Sequence, residues 1–389
     1  MSTENTSKAS IWTPANIITA ILLVFGLIIT VLRFTKGLGT VTNLDQNNPW
    51  GIWIGFDLLC GVALAAGGYT TSSACYLFGL KKYHSAVRPA ILTAFLGYAL
   101  VVFALHFDVG RPYRLVYPIF LQPGTTSLLF EVGLCVFLYV SVLAVEFSPA
   151  VFEWLGMKKI RNMVHKLTLP LTVLGVVLST LHQSSLGALY IAVPSKIHPL
   201  WYSPYLAVLF FVSSIPAGLS MVIFEGTLAH KPWHHMMDKT HLDEHDGVTL
   251  GFARGASIAL AAYFCVKLVA LAADDNWHYL ATGWGAWYLL EVVGFVLVPC
   301  LMYAIGSREK NIPLIKWAAG ITVFGIILNR FNISMVAFNW QLPSSQRYFP
   351  SLMEIGLSLF VVTIGVTVYR FIVSRMPIFF EHPEYKDAH

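Results

Sequence analysis

The stretch GIWIGFDLLCGVALAAGGYTTSSACYLFG, from Gly51 to Gly79, decides how the chain is organised. It is apolar and longer than the roughly 20 residues a helix needs to cross a bilayer. Glycines at 51, 55, 61, 67 and 68 leave little bulk on its surface. Small residues let helices approach closely in a membrane, so this span is expected at the centre of a bundle. It also carries Asp57. A charge in hydrocarbon costs about 2.5 to 3.5 kcal/mol even on the lenient insertion scale, so such a residue marks a route or a site.

Nine further stretches of the same kind surround it, near 14–33, 89–107, 125–147, 165–186, 203–228, 249–272, 284–306, 314–336 and 351–373. The chain has 389 residues, 56% of them hydrophobic and 12% charged. That is about half the charged fraction of a soluble domain. The expected fold is therefore an all-α integral membrane protein of about ten transmembrane helices. Residues 1–13 would be an N-terminal tail, 14–373 the transmembrane domain and 374–389 a C-terminal tail. Residues 1–10 lack the basic region and cleavage site of a secretory signal peptide, so the first span is expected to remain as a helix.

Lysines and arginines orient the spans. The N-terminus, the connections after spans 2, 4, 6 and 8, and the C-terminus hold seventeen, from Lys8 to Lys386, against six on the opposite side. By the positive-inside rule both termini are cytoplasmic. Trp50, Trp201, Trp284 and Trp340 fall at or beside span ends on the other side, as interfacial anchors do. The net charge of +5 is scattered over loops without a basic stripe, which disfavours nucleic acid as a partner. The five cysteines lie in apolar stretches with no paired spacing, so they read as core residues and no metal site is expected from them.

Depth sharpens the reading of the buried charges. At 1.5 Å per residue, Asp57 lies roughly 10 Å inward from Trp50, Glu131 roughly 9 Å from Thr125 and Glu291 roughly 10 Å from Trp284. His106 and Arg111, with Asp108 between them, close the outer end of span 3, and His182 and Gln183 close span 5. Lys267 and Arg330 lie in the outer parts of spans 7 and 9. Mutual ion pairs are the bland account of Lys267, Glu291 and Arg330, since buried charges need partners. A common depth across seven helices points instead to an outer-leaflet site that handles protons and a polar headgroup. On the inner side, Glu225 and Glu146 could feed protons toward Glu131, or simply snorkel at the interface. A haem across helices needs two level histidines, and only His106 and His182 qualify within spans. One pair cannot carry electrons across a membrane, so hydrogen bonding to a carbonyl is the expected role. The histidines from His230 to His245 show no zinc-finger spacing and read as a solvated loop.

The segments Asn48-Pro49-Trp50-Gly51-Ile52-Trp53, Phe56-Asp57-Leu58-Leu59, Phe130-Glu131, His182-Gln183-Ser184-Ser185-Leu186-Gly187, His198-Pro199-Leu200-Trp201 and Ile223-Phe224-Glu225-Gly226 resemble, in order and spacing, the NrfD (polysulfide reductase membrane subunit) family. Within it the likeness is greatest to the integral membrane subunit of periplasmic nickel–iron uptake hydrogenases. The resemblance implies two four-helix bundles with flanking helices in the bacterial inner membrane, and a quinone, menaquinone or ubiquinone, as substrate. It implies no haem, and partners on the periplasmic face: a ferredoxin-like iron–sulfur subunit and the hydrogenase small and large subunits, which carry the clusters and the nickel–iron site. Asp57, Glu131 and His182 match family positions for quinone and proton handling. From these follows an expected chamber among spans 2, 3, 4 and 5, in which His182 and Asp57, with His106 near, grip a quinone headgroup. Gln183 and Arg111 would line it, and Glu131, Glu225, Glu146, Glu291, Lys267 and Arg330 would carry protons. A haem cytochrome, a secondary transporter and a passive membrane anchor are the competing readings.

Overall fold

A computed structural model describes residues 13–380, apart from the side chains of residues 240 and 241. Lys8, Lys386, the side chain of His241 and most of both expected tails lie outside the described residues. Among the described residues, ten helices are long and apolar enough to cross a membrane: α1 (Pro14–Lys36), α2 (Trp53–Leu77), α3 (Lys81–Asp108), α4 (Leu128–Trp154), α5 (Thr168–Ile191), α6 (Leu206–Met236), α7 (Leu242–Ala273), α8 (Gly283–Glu309), α9 (Ile312–Val336) and α10 (Leu352–Val373). The ends nearest the Lys- and Arg-rich connections form what we call the basic face. The opposite ends form the aromatic face.

Helices α2 to α5 pack in a closed ring, and α6 to α9 pack in a second one. The rings join where α6 meets α2 and α5, while α1 and α10 pair with each other and lean on α2 and α3. This is the expected pair of four-helix bundles with flanking helices. The glycine-rich α2 is central, with 78% of its apolar window buried against 11% for α1. Its glycines explain why. A Cβ on Gly218 of α6 would sit 2.5 Å from the Gly67 nitrogen and the Ala66 carbonyl carbon, so α2 and α6 cross backbone against backbone. Close approach of this kind supplies the dispersion contacts that hold helices together where lipid removes the hydrophobic drive.

Two expectations need correction. The His230–His245 stretch is helical, not a solvated loop: α6 runs on to Met236 and the next helix starts at Lys239, leaving Met237 and Asp238 as the connection. Hydropathy detects the hydrocarbon-facing part of a helix and misses polar turns that extend past it. Part of the expected C-terminal tail is also packed. Ile378 and Phe379 are buried at the basic face, and Arg88 donates to the carbonyl oxygens of Pro377 (3.0 Å) and Phe380 (3.3 Å) while pairing with Glu153 at 2.9 Å.

Candidate functional site

The first turns of α2 are π-helical, over Trp53–Leu58. A π segment widens the turn and frees a carbonyl from the ordinary ladder, and such bulges recur at functional sites. Here the Cys60 thiol donates to Gly55 O at 3.2 Å, and the Trp53 indole donates to Glu354 O at 3.1 Å, tying α2 to α10. The result turns Asp57 toward α10, where its Oδ2 accepts from Ser358 Oγ at 2.8 Å.

Asp57 lines an open-sided cavity of about 1220 Å³ bordered by α1, α2, α3, α6 and α10. The walls are mostly aliphatic, as at Leu64, Leu100, Val361 and Val366, and Glu225, Thr93 and Tyr369 stand in the same lining. The helix crossing fixes their depths. Asp57 precedes Gly67 by ten residues and Glu225 follows Gly218 by seven. At 1.5 Å per residue the two carboxyls are about 25 Å apart along the membrane normal. Asp57 is thus near the aromatic face and Glu225 near the basic face, where it accepts a short hydrogen bond from Thr93 Oγ1.

Beyond Asp57 the aromatic end is closed by groups the sequence reading passed over. Arg33 is buried and donates through Nε to Phe107 O (2.7 Å) and through Nη2 to Val109 O (2.9 Å), clamping α1 onto the end of α3. Glu354 caps α10 and accepts from Asn43 N (3.0 Å), Ser351 N (2.8 Å) and Tyr348 Oη (2.5 Å). Burial and the neighbouring Glu354 carboxylate push the Tyr348 phenol up. A signal for Glu354 existed, since Ser351-Leu352-Met353-Glu354 is a capping-box pattern. Ser358, Thr93 and Tyr369 gave none, because neutral hydroxyls on apolar helices look like packing.

His182 does not reach this cavity. It is fully buried inside the first bundle, its ring 5.6 Å from that of Tyr98, which packs edge-on at 4.6 Å against Tyr139. Both His182 nitrogens are buried without a hydrogen-bond partner among the described residues, while Tyr98 bonds to Ser179 and Gln183 and Tyr139 bonds to Ser179. A buried imidazole without a partner costs about 1–3 kcal/mol, so His182 is the expensive member of this polar file. Gln183 Nε2 donates to Val62 O at 3.0 Å. The file ends at Glu131, which accepts from Ser185 Oγ at 2.5 Å, on one side and at Glu146, which accepts from Thr172 Oγ1 at 3.4 Å, on the other.

The second bundle holds Glu291, in another π segment (Leu290–Leu297). Its oxygens accept from Trp201 Nε1 and Asn329 Nδ2, both at 2.7 Å, and from Asn332 Nδ2. Arg330 reaches Glu291 only through Asn329 Oδ1 (2.8 Å) and lies 3.8 Å over the Phe210 ring. Lys267 sits 5.4 Å from the Tyr288 ring centroid, with no carboxylate in ion-pair reach among the described residues. These three charges therefore make no direct ion-pair contact among the described residues: neutral donors and aromatic faces stand between them, and the Glu291 carboxylate acts on both cations through space.

The expected single chamber is thus three separate places: the cavity with Asp57 and Glu225, the His182 file from Glu131 to Glu146, and the Glu291 network. Glu225 leads toward Asp57 rather than toward Glu131. Of the expected headgroup contacts only Asp57 faces the cavity. His106 turns Nδ1 to Val102 O of its own helix (2.7 Å), and Arg111 is exposed beyond the end of α3.

Residues 40–339, most of both bundles, match the family described as polysulphide reductase, NrfD. The chain belongs to the NrfD family. Among its NrfD relatives, a protein of Nitratidesulfovibrio vulgaris is 67% identical over the whole of both chains. The probable Ni/Fe-hydrogenase 2 b-type cytochrome subunit of Escherichia coli is 32% identical, over 92% of this chain and 90% of that one. The integral membrane subunit of menaquinone reductase from Nitratidesulfovibrio vulgaris is 26% identical over the same shares. This NrfD chain is accordingly a membrane subunit similar to those of redox complexes.

Proposed function

We propose that the protein is the quinone-reactive subunit of such a complex, accepting electrons from an iron–sulfur subunit docked on the aromatic face and passing them to quinone. One observation carries this reading: a cavity with aliphatic walls that places a single hydrogen-bonded carboxyl, Asp57, near the face where the donor would dock. Its volume exceeds the roughly 300–1,000 Å³ of ordinary small-molecule pockets, which suits a headgroup with part of an isoprenoid tail. The menaquinone reductase relative supports quinone as the substrate. The hydrogenase relative supports a hydrogenase as the partner and hydrogen as the source of electrons; the family resemblance implies the ferredoxin-like subunit and the hydrogenase small and large subunits. Positive-inside charge makes the basic face cytoplasmic and the aromatic face periplasmic, in the bacterial inner membrane.

Reduction of the quinone takes two electrons from the partner and two protons. Asp57, steadied by Ser358, gives a proton to the nearer carbonyl and is then recharged. Glu131, His182 and Glu146 form a second proton file in the first bundle, and Glu291, Lys267 and Arg330 a third in the second. The test is turnover of the purified complex with reduced methyl viologen as donor and a water-soluble menaquinone analogue as acceptor. Asp57→Asn removes a general acid, worth about 100-fold or more in rate, while partners still co-purify. Unchanged turnover in an assembled Asp57→Asn complex rejects the reading.

A further inference from the structure

Three histidines near the basic face belong to none of these sites. His234 is exposed in the turn that ends α6, and His230 lies one helical turn earlier, the two rings 5.2 Å apart. The His230 ring is in turn 5.1 Å from that of His245 on α7. His245 rests on α6 where Gly226 leaves room for it: a Cβ there would come within 3.4 Å of His245 Cε1. The residue before Gly226 is Glu225.

A second, small cavity of about 40 Å³ lies among α3, α6 and α7 under Phe379, and both His245 and Glu225 line it. That is room for about three waters at roughly 10–15 Å³ each. Glu225 also lines the large cavity, so one carboxyl borders both spaces. Its carboxyl is bonded by Thr93 on α3 and Tyr369 on α10, while His230 Nδ1 is buried without a partner among the described residues. His245 on α7 shares the small cavity with Glu225. Among the described residues no three His, Cys, Asp or Glu side chains converge as metal ligands, so the rings form a line rather than a cage.

We propose that His234, His230 and His245 are a proton relay that feeds Glu225 from the basic face. An imidazole takes a proton on one nitrogen and releases one from the other, and three in file lead from exposed surface to a carboxyl at the edge of the quinone cavity. The inference deepens the quinone reading and rests on it. Electrons come from the docked partner, protons come from the opposite face through the relay, and Glu225 passes them into the cavity whose far end holds Asp57. The three histidines never touch the quinone. They act as positioning and transfer groups.

The test uses the same viologen-to-quinone assay on complexes carrying His230→Gln, His245→Gln or both, checked for partner co-purification. Turnover is expected to fall about tenfold in the double variant, more at alkaline than at acid pH, and to recover when free imidazole is added. Vesicles loaded with a pH-indicating dye are expected to show that protons are drawn from the basic face. Turnover equal to the parent, or a loss in an assembled complex that imidazole does not relieve, overturns the relay. Asp57→Asn separates the two ideas. Its loss is not restored by imidazole, and if it shows no loss the quinone reading fails first.

Discussion

Burial among the rings of Trp201, Tyr279, Trp284 and Trp340, with centroids 4.6–5.7 Å away, pushes the His198 imidazole down to about 4. Leu200 N donates to its Nδ1 at 3.2 Å, which requires that nitrogen unprotonated. The sign follows directly. The unfolded chain takes up a proton near pH 6.5 and the folded one only near 4, so stability is full above 6.5 and falls as pH drops through that window. Tryptophan fluorescence of the complex is expected to report loosening of this aromatic cap between pH 6 and 4 and no change from 7 to 9, and a His198→Phe variant to lose that response. Single residues were legible in sequence when they were expensive. Asp57 and Glu291 stood out as charges in hydrocarbon and Glu225 only as a residue that could equally snorkel at the interface, but their compensators, Ser358, Asn329 and Thr93, did not, because a neutral side chain on an apolar helix announces nothing about what it bonds.

The elements were legible in number and less so in detail. Ten apolar runs became ten helices, because span length is set by bilayer thickness. The π segments at Trp53–Leu58, Leu290–Leu297 and Asn332–Val336 left no trace in composition, since the widened turn is chosen by tertiary packing. They decide which way Asp57 and Glu291 face, and this is why depth alone merged three sites into one. The α2–α6 crossing was half visible, as a run of glycines without its partner. Gly218→Val would drive a side chain into the Ala66–Gly67 backbone, which cannot yield as a flexible side chain would. Overpacking of this sort costs about 1–3 kcal/mol or more, and the purified complex should melt several degrees lower with its quinone turnover reduced. The same change at Gly320, which has open space around it, should leave melting unchanged.

At the scale of the molecule, the family and the paired bundles followed from motif order, while the division of labour between them did not. The hydrogenase relative carries the words b-type cytochrome, and this chain offers a haem poor terms. His182 is fully buried against Tyr98, and neither it nor His106 lines the large cavity. The purified subunit is expected to show no sharp α-band in a reduced-minus-oxidised spectrum. A band in stoichiometric amount would reinstate the cytochrome reading.

The outer helix α1 has the smallest buried share of the ten spans. It keeps only 11% of its apolar window inside the protein and yet forms a wall of the large cavity, held to α10 where Gly26 meets Phe360. Acyl chains meet its other side, so the bilayer backs the wall that α1 forms. Detergent removes this support, and a preparation stripped of phospholipid should exchange its bound carrier faster than the same protein in a nanodisc.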